Sequence, residues 1–114
     1  LPISCWLTMN ATGTRLYTGN TMDNTIDVFD TTIATAPVFL QHVAVKQTTA
    51  GSGVTSLKFD PTGQFFYALS NSPTSSSLHV FNVNADGTLV ENVNPLTLPV
   101  PSGNFPLGIA TLQK

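Results

Sequence analysis

Apolar residues occur along this chain in short runs, and Gly, Pro, Asn and Asp separate one run from the next. No apolar stripe persists at helical spacing, so the pattern predicts an all-β protein. The first four predicted strands cover residues 3–9, 14–18, 25–29 and 38–45. Apolar side chains also stand at successive positions, as in Phe65-Phe66-Tyr67, which is typical of strands covered on both faces of a sheet.

The pattern of the first half restarts in the second half. The turn Asn10-Ala11-Thr12-Gly13 and its return strand recur around Asp60-Pro61-Thr62-Gly63, so that Gly63 lies 50 positions after Gly13. Ile26-Asp27-Val28-Phe29 recurs as Leu78-His79-Val80-Phe81 at an offset of 52, because the preceding loop is longer. A four-stranded repeat of about 50 residues with both faces covered is what a propeller blade requires.

The repeat predicts a β-propeller fragment of two four-stranded antiparallel blades, at residues 1–50 and 51–103. In the second blade, Asp86-Gly87 predicts a hairpin, and Pro residues interrupt the outer strand that follows it, as suits an edge strand. Residues 104–114 look like the beginning of a third unit. They predict the inner strand of a further blade.

Composition narrows the partners that the protein can have. The 114 residues carry a formal net charge of −2 with only four Lys and Arg, so no basic stripe is available and we expect no nucleic acid partner. No stretch approaches the roughly 20 apolar residues that cross a bilayer, so we expect no membrane partner either. Low charge with abundant Thr and Ser is consistent with a secreted, extracellular protein.

Two blades alone would leave two apolar sheet faces and an unpaired inner strand open to water. We therefore expect the fold to be completed by remaining blades from another chain or fragment, or by self-association. The sequence begins at Leu1 without an initiator Met or a recognisable signal segment. This predicts a chain that is processed, truncated or excised from something longer.

The residues that could carry chemistry are few. His42 and His79 lack metal-binding spacing, and we expect both to be structural, with His79 at a loop-side or inter-blade polar position. Asp60 and Asp86 fit turn positions, and Arg15 fits a salt bridge better than a ligand site. No nucleophile elbow or phosphate loop is present, so the catalytic residues are unknown and we expect no cofactor or metal.

Two further positions invite specific hypotheses. Cys5 is the only cysteine, and its apolar neighbours predict a buried structural thiol, with a bond to a cysteine of another chain as the alternative. Asn10-Ala11-Thr12 is an N-glycosylation sequon, which makes Asn10 a candidate glycosylation site if the protein is secreted by a eukaryote.

The repeated motifs resemble those of the lactonase-like seven-bladed β-propellers, which include 6-phosphogluconolactonases and carboxymuconate cyclases of the propeller type. The motifs are Phe59 to Tyr67, its weaker copy from Asn10 to Tyr17, Leu78 to Phe81 with Ala85 to Leu89, and Phe105 to Ala110. The resemblance implies the C-terminal portion of a propeller that hydrolyses or forms a sugar-acid or muconate-type lactone. It also implies that residues 104–114 are the inner strand of a shared blade that closes the ring. The alternative is a non-catalytic extracellular binding or assembly module. No catalytic group of the family can be assigned to a residue of this chain.

Overall fold

The computed structural model describes residues 3–46 and 49–113, which form two antiparallel sheets. The sheets share no strand, and each corresponds to one predicted blade. The described residues form the strands β1 (Ser4–Met9), β2 (Arg15–Asn20), β3 (Thr25–Asp30), β4 (Val38–Ala44), β5 (Gly53–Phe59), β6 (Phe65–Asn71), β7 (Ser76–Val83), β8 (Leu89–Val90) and β9 (Leu96–Thr97). No helix in this part of the chain is long and apolar enough to cross a membrane.

Blade 1, made of β1 to β4, is a meander in which each strand pairs with the next in the sequence. Strand β2 runs two residues further than the sequence predicts, through Gly19 and Asn20, because Gly19 lies in the ladder opposite Ile26. A Cβ at Gly19 would meet the Val54 side chain at 2.7 Å. The glycine is therefore a strand residue that lets blade 2 pack closely, and not the start of a loop.

Blade 2, made of β5 to β9, repeats this order but has a divided outer strand. Only Leu89 and Val90 of β8 pair with the end of β7, and β9 pairs separately with Ser77 and Leu78. The predicted outer strand is thus present in two short pieces, which makes a sheet of five strands. Proline has no N–H to donate to a ladder, which explains the break between the pieces around Pro95.

Three turns at one end of the blades share a single geometry. In each, a side chain of Asn or Asp stands at the first position, and a glycine with positive φ closes the turn three residues later: Asn10 and Gly13, Asp60 and Gly63, Asn84 and Gly87. Each glycine N–H donates to the carbonyl oxygen of that first residue, at 2.9 to 3.1 Å. The repeated sequence motif is therefore explained by backbone turns.

The core lies between the two sheets and draws on both. Tyr17, Ile26 and Val28 of blade 1 pack against Phe66 and Phe81 of blade 2, and all five are fully buried. The Tyr17 ring lies 4.9 Å from the Phe66 ring, centroid to centroid. Burying each such side chain contributes roughly 1.5–3 kcal/mol, so this layer is what joins the blades.

Backbone contact is closest at the inner strand β5. A Cβ on Gly53 would overlap the carbonyl oxygen of Thr21, so only glycine fits there. The Thr21 hydroxyl then donates to the Val54 carbonyl oxygen at 2.8 Å. The end of β2 is thereby fixed against the beginning of the next unit.

The last segment, residues 104–113, follows β5 without joining a sheet. The Asn71 side chain donates to the Pro106 carbonyl at 2.9 Å, and the Thr111 hydroxyl donates to the Phe59 carbonyl at 3.1 Å. The segment therefore runs beside β5 in the direction of β5. A third sheet would need strands beyond those that the described residues form. The closing inner strand stays a prediction.

The prediction of a buried thiol at Cys5 is wrong for this chain. Cys5 is free and exposed. It falls in an irregularity of the β1–β2 ladder, between Ser4 and Trp6, on the edge strand of blade 1. Strand β5 has the same irregularity between Val54 and Ser56, so the bulge is a property of the repeat.

Candidate functional site

A buried hydrogen-bonded chain of three side chains lies in blade 2, on the face that blade 1 covers. His79 is 0% exposed and Glu91 is 4% exposed. The His79 ring bonds Glu91 Oε1 through Nδ1 at 2.6 Å and the Ser77 hydroxyl through Nε2 at 2.8 Å. His79 is thus at an inter-blade position, as the sequence predicts, and both of its ring nitrogens are occupied.

Glu91 also reaches across to blade 1. Its second carboxylate oxygen, Oε2, accepts a hydrogen bond from the Lys46 backbone N–H at 2.8 Å, and the Lys46 ammonium donates to the Val93 carbonyl oxygen at 3.2 Å. The carboxylate therefore has a donor on each oxygen. It links the exit of one blade to the outer strand of the next.

Ser77, His79 and Glu91 have the order of a nucleophile, a base and an orienting acid. Their burial argues against that chemistry, because Ser77 is 1% exposed and borders neither of the two clefts described below. A substrate carbonyl could not approach the hydroxyl in this structure. We interpret the three residues as a satisfied polar network within the interface.

Blade 1 has a corresponding pair on its open face. His42 Nδ1 contacts Asp27 Oδ1, and Asn20 Nδ2 donates to Asp27 Oδ2 at 2.9 Å. The His42 side chain is 52% exposed. Asp27 is a polar position between the apolar Ile26 and Val28 of β3, and His42 is its partner on the neighbouring strand.

The two pairs stand at equivalent places in the repeat. Asp27 and His79 occupy matching positions of the third strand, at the offset of 52 seen in the sequence. In blade 1 the acid is on the third strand and the imidazole on the fourth, whereas in blade 2 the imidazole is on the third strand and the acid, Glu91, directly follows β8. The pair is buried in blade 2 and open in blade 1.

A cleft of about 440 Å³ lies at the end of the molecule where the three turns meet. Its border includes Asn10, Arg15, Lys58, Asp60 and Asp86. Most of these polar side chains already make hydrogen bonds or ion pairs within the fold. A second hollow, of about 400 Å³, lies between the 109–112 segment and the side chains of Tyr67 and Leu78.

Arg15 crosses the first cleft as a clamp between blades. Its Nε donates to the Asp86 carbonyl oxygen at 2.7 Å, and Nη1 lies 3.1 Å from Asp30 Oδ2. Its side chain also packs over Gly87, where a Cβ would meet Arg15 Cγ at 2.7 Å. The salt bridge predicted for Arg15 is present within blade 1, and the bond to the Asp86 carbonyl oxygen crosses the blade interface.

Tyr17 supports the same contact from the buried core. Its hydroxyl donates to the Gly87 carbonyl oxygen at 2.7 Å. Burial raises the pKa of Tyr17 to about 12, which Arg15 opposes and Asp86 reinforces. The phenol therefore stays protonated at neutral pH, as a donor to a carbonyl oxygen must.

The acids at the turns are held ionised by their local hydrogen bonds. The Thr88 hydroxyl and N–H lower the pKa of Asp86, and those of Thr32 lower the pKa of Asp30. Partial desolvation would raise the pKa of Asp60, but the Thr62 hydroxyl and nearby backbone N–H groups outweigh it and lower that pKa. These carboxylates therefore serve the turns, as the sequence predicts for Asp60 and Asp86.

Asn10, the candidate glycosylation site, is part of its turn. Its Oδ1 accepts from the N–H groups of Thr14 and Arg15, and its Nδ2 donates to the Thr14 hydroxyl at 3.0 Å. Asp60 accepts hydrogen bonds from the same kinds of donor in the second blade. The turn explains Asn10 without a glycan, and glycosylation stays a prediction.

Sequence reasoning missed the residues that hold the outer strand of blade 2. The Gln41 side chain accepts from the Leu89 N–H at 2.8 Å and donates to the Leu89 carbonyl at 2.9 Å, as a neighbouring strand would. A lone Gln or Glu in an apolar segment gives no sequence signal for this role.

In the described ranges, 3–46 and 49–113, no three His, Cys, Asp or Glu side chains are grouped to hold a metal ion.

Comparison with known proteins gives the family. A family model described as lactonase, seven-bladed β-propeller, matches residues 2–104. A structure from Bacteroides fragilis described as a candidate 6-phosphogluconolactonase is similar at 23% identity and a TM-score of 0.72, with 90% of this chain covered. The periplasmic gluconolactonase PpgL of Pseudomonas aeruginosa is similar at 20% identity and a TM-score of 0.69, with 84% covered. No curated protein sequence matches.

These structures are much longer than the chain, which spans 28% of the first and 27% of the second. At these identities they establish the fold of the matched part. The family model matches most of the chain, so it shows the family as well as the fold. The chain belongs to the lactonase family of seven-bladed β-propellers.

Proposed function

We propose that this chain supplies two blades of a propeller that hydrolyses or forms a lactone of a sugar acid or of a muconate-type acid. Membership of the lactonase family carries the proposal. Two similar structures, described as a candidate 6-phosphogluconolactonase and a gluconolactonase, support the sugar-acid substrate.

The part played by this chain is architectural. Most of its charged side chains in the described residues serve turns and the blade interface, as Arg15, Asp60 and Glu91 do. His79 is sealed, and His42 stands on an open sheet face away from both clefts. The groups that open the lactone ring therefore belong to blades outside these residues.

The remaining blades are the proposed partners. Blade 1 presents exposed apolar side chains on the face opposite blade 2, among them Leu7, Met9 and Phe39. Large exposed apolar patches on soluble proteins mark interaction surfaces. We also propose an extracellular location, supported by the low charge and the abundance of Thr and Ser.

Lactone hydrolysis by the complete propeller tests the function. The complete propeller, containing these residues and its remaining blades, would be assayed with δ-gluconolactone, 6-phosphogluconolactone and a muconolactone by following acid release. We expect hydrolysis of at least one sugar-acid lactone above the spontaneous rate. In the matched variant His79→Gln, we expect the free energy of unfolding to fall while the turnover number stays close to that of the unmodified protein. Spontaneous rates with every lactone would favour the non-catalytic binding or assembly module.

A further inference from the structure

The hydroxyl group of Thr55, on the inner strand of blade 2, accepts a hydrogen bond from Asn71 and keeps its own proton unused among the described residues. We propose that Thr55 donates this proton to an acceptor oxygen of the ligand in the central channel of the complete propeller, and that Asn71 is the positioning residue. The ligand is a sugar-acid lactone or its acid, so its identity rests on the proposed function. The contact binds the ligand and takes no part in opening the ring.

Thr55 is the extra residue of a bulge on the strand nearest the axis. Val54 and Ser56 pair with β6, and Thr55 between them has no partner in the ladder. Bulges re-aim a side chain and are common beside active sites. Strand β5 is the first of its blade and contacts β1, the first strand of blade 1, as inner strands around one channel do. The bulge therefore places Thr55 next to the channel.

Both neighbours of β5 in the ring of inner strands are present. Strand β1 lies on one side, and the segment 106–111 lies on the other. Thr55 stays partly exposed between them. Cys5, its equivalent in blade 1, is exposed although the whole of blade 2 follows it. The open side of Thr55 is therefore the side that faces the axis.

The hydrogen bonds of Asn71 fix the direction in which Thr55 donates. The amide nitrogen Nδ2 donates to the Pro106 carbonyl oxygen at 2.9 Å and to Thr55 Oγ1 at 2.6 Å. A carbonyl oxygen can only accept, so the reversed amide would place Asn71 Oδ1 against the Pro106 oxygen with no proton between them. Thr55 Oγ1 is thus held as an acceptor towards Asn71. Its own proton is left for an acceptor on the open side.

This orientation leaves a buried acceptor without a donor. Asn71 is 6% exposed, and its Oδ1 is the one buried side-chain nitrogen or oxygen in residues 3–46 and 49–113 that has no hydrogen-bond partner. An unmatched buried acceptor destabilises a fold. Oδ1 is sealed by the residues around it, so a further blade cannot supply the donor. Departures of this kind are kept at functional sites.

Blade 1 makes the corresponding link to the next unit without an amide. Thr21 stands at the position of Asn71, at the offset of 50, and its hydroxyl donates to a carbonyl oxygen of β5 at 2.8 Å. A threonine is thus sufficient for the link. The two N–H groups of Asn71 make the link and also hold Thr55. Blade 1 has Cys5 at the bulge, and a thiol is only a weak donor, so the proposed contact belongs to blade 2.

Binding of gluconate and 6-phosphogluconate to the complete propeller tests the role of Thr55. Thr55→Val keeps the shape of the side chain and removes the donor, whereas Thr55→Ser keeps the donor. By isothermal titration calorimetry, we expect Thr55→Val to raise the Kd roughly 10-fold, as loss of one hydrogen bond does, and Thr55→Ser to stay within about 2-fold. Thr88→Val is the control at the turn end, where the hydroxyl already donates to Asp86, and should leave the Kd unchanged.

Asn71→Thr tests the positioning. It reproduces the link that Thr21 makes in blade 1 and removes the unmatched oxygen, so we expect the free energy of unfolding to stay equal or rise. The Kd should rise even so, because the Thr55 hydroxyl is no longer held. The double variant Thr55→Val with Asn71→Thr should bind as Thr55→Val does. Tight binding by Asn71→Thr, or additive losses in the double variant, would show that Asn71 does not act through Thr55.

Acid release from δ-gluconolactone and 6-phosphogluconolactone, measured on the same proteins, separates this inference from the proposed function. Turnover by the unmodified propeller, with ligand binding that is unaffected by Thr55→Val, overturns the inference and supports the proposed function. Binding that depends on Thr55 without turnover does the reverse. Failure of the unmodified propeller to bind either acid also overturns the inference.

Discussion

At the residue scale, the turn acids make acid stability testable. The folded pKa of Asp60 is lowered, so its carboxylate contributes stability that is complete above the unfolded pKa of about 4 and is lost as pH falls through the folded value. Asp60→Asn keeps an acceptor for the turn, as Asn10 does in blade 1, but has no titration. We expect it to be less stable than the unmodified chain at pH 7, with a gap that closes as pH falls below about 4.

Urea unfolding at pH 7, 4, 3 and 2.5 measures that gap. Thr62→Val is the matched variant, because it removes the hydroxyl that bonds Asp60 and leaves the carboxyl in place. It should show a shallower acid dependence than the unmodified chain. A gap for Asp60→Asn that is constant over this range would contradict the assignment.

The buried carboxylate of Glu91 gives a second prediction at this scale. Both of its oxygens face donors, the Lys46 N–H and the His79 ring. Glu91→Gln puts an NH₂ group against one of these donors, so we expect a loss of about 1–3 kcal/mol in the free energy of unfolding. Urea unfolding at pH 7 measures it. Asp23→Asn, at an exposed carboxyl, is the control and should change stability by less than about 0.5 kcal/mol.

The roles of single residues could be predicted only where a local rule fixes them. Asp60, Asp86 and the turn glycines follow from turn chemistry, which needs only a few neighbouring residues. Glu91 and Gln41 act on partners that are 12 and 48 positions away in the chain, and no local pattern encodes such a distance. Cys5 was assigned to the core from its apolar neighbours, yet it lies on an edge strand at a bulge.

At the element scale, β8 is held by blade 1 as well as by its own sheet. It pairs with β7 over only two residues, and the Gln41 side chain supplies both further bonds to Leu89. Gln41→Ala leaves the Leu89 N–H and carbonyl without these partners, so we expect a loss of about 1–3 kcal/mol. Hydrogen exchange at the Leu89 amide should accelerate more than exchange at the Phe66 amide.

The exposed Gln64 provides the matched control for that experiment. Gln64→Ala should leave both the free energy of unfolding and the Leu89 exchange rate close to those of the unmodified chain. Equal acceleration at Leu89 and Phe66 in Gln41→Ala would show that the side chain stabilises the whole fold and not β8 in particular.

The strands themselves were largely predictable, because apolar runs and turn residues are local signals. Strands β1 to β4 are present where the sequence predicts them, and the largest shift of a bound is two residues, at Asn20. The division of the outer strand into β8 and β9 was visible only as a series of prolines. The sequence could not predict that blade 1 holds β8, because this contact depends on how one sheet packs on the other.

At the scale of the whole molecule, the repeat predicted two blades and the resemblance of its motifs predicted the family, but neither predicted how firmly the blades are joined. Tyr17, Phe66 and Phe81 form a shared core. Blade 1 also bonds the segment 86–93 at successive points, through Arg15, Tyr17, Gln41 and Lys46. Blades in repeat proteins can unfold separately only when such interfaces are weak compared with each unit.

We therefore expect the two blades to unfold in one cooperative transition. Trp6, the only tryptophan, lies in blade 1 and packs against the core between the blades, so its fluorescence reports on blade 1 and on that interface, while far-UV circular dichroism reports on both blades. The two urea curves, measured at a concentration where the chain is monomeric, should coincide in midpoint and in slope. Tyr17→Ala removes a buried ring and the bond to Gly87, at a cost of roughly 3–5 kcal/mol. If that variant still folds, its two curves should separate, because the core that couples the blades has lost a buried ring. Separate curves in the unmodified chain would instead mean that each blade is stable by itself.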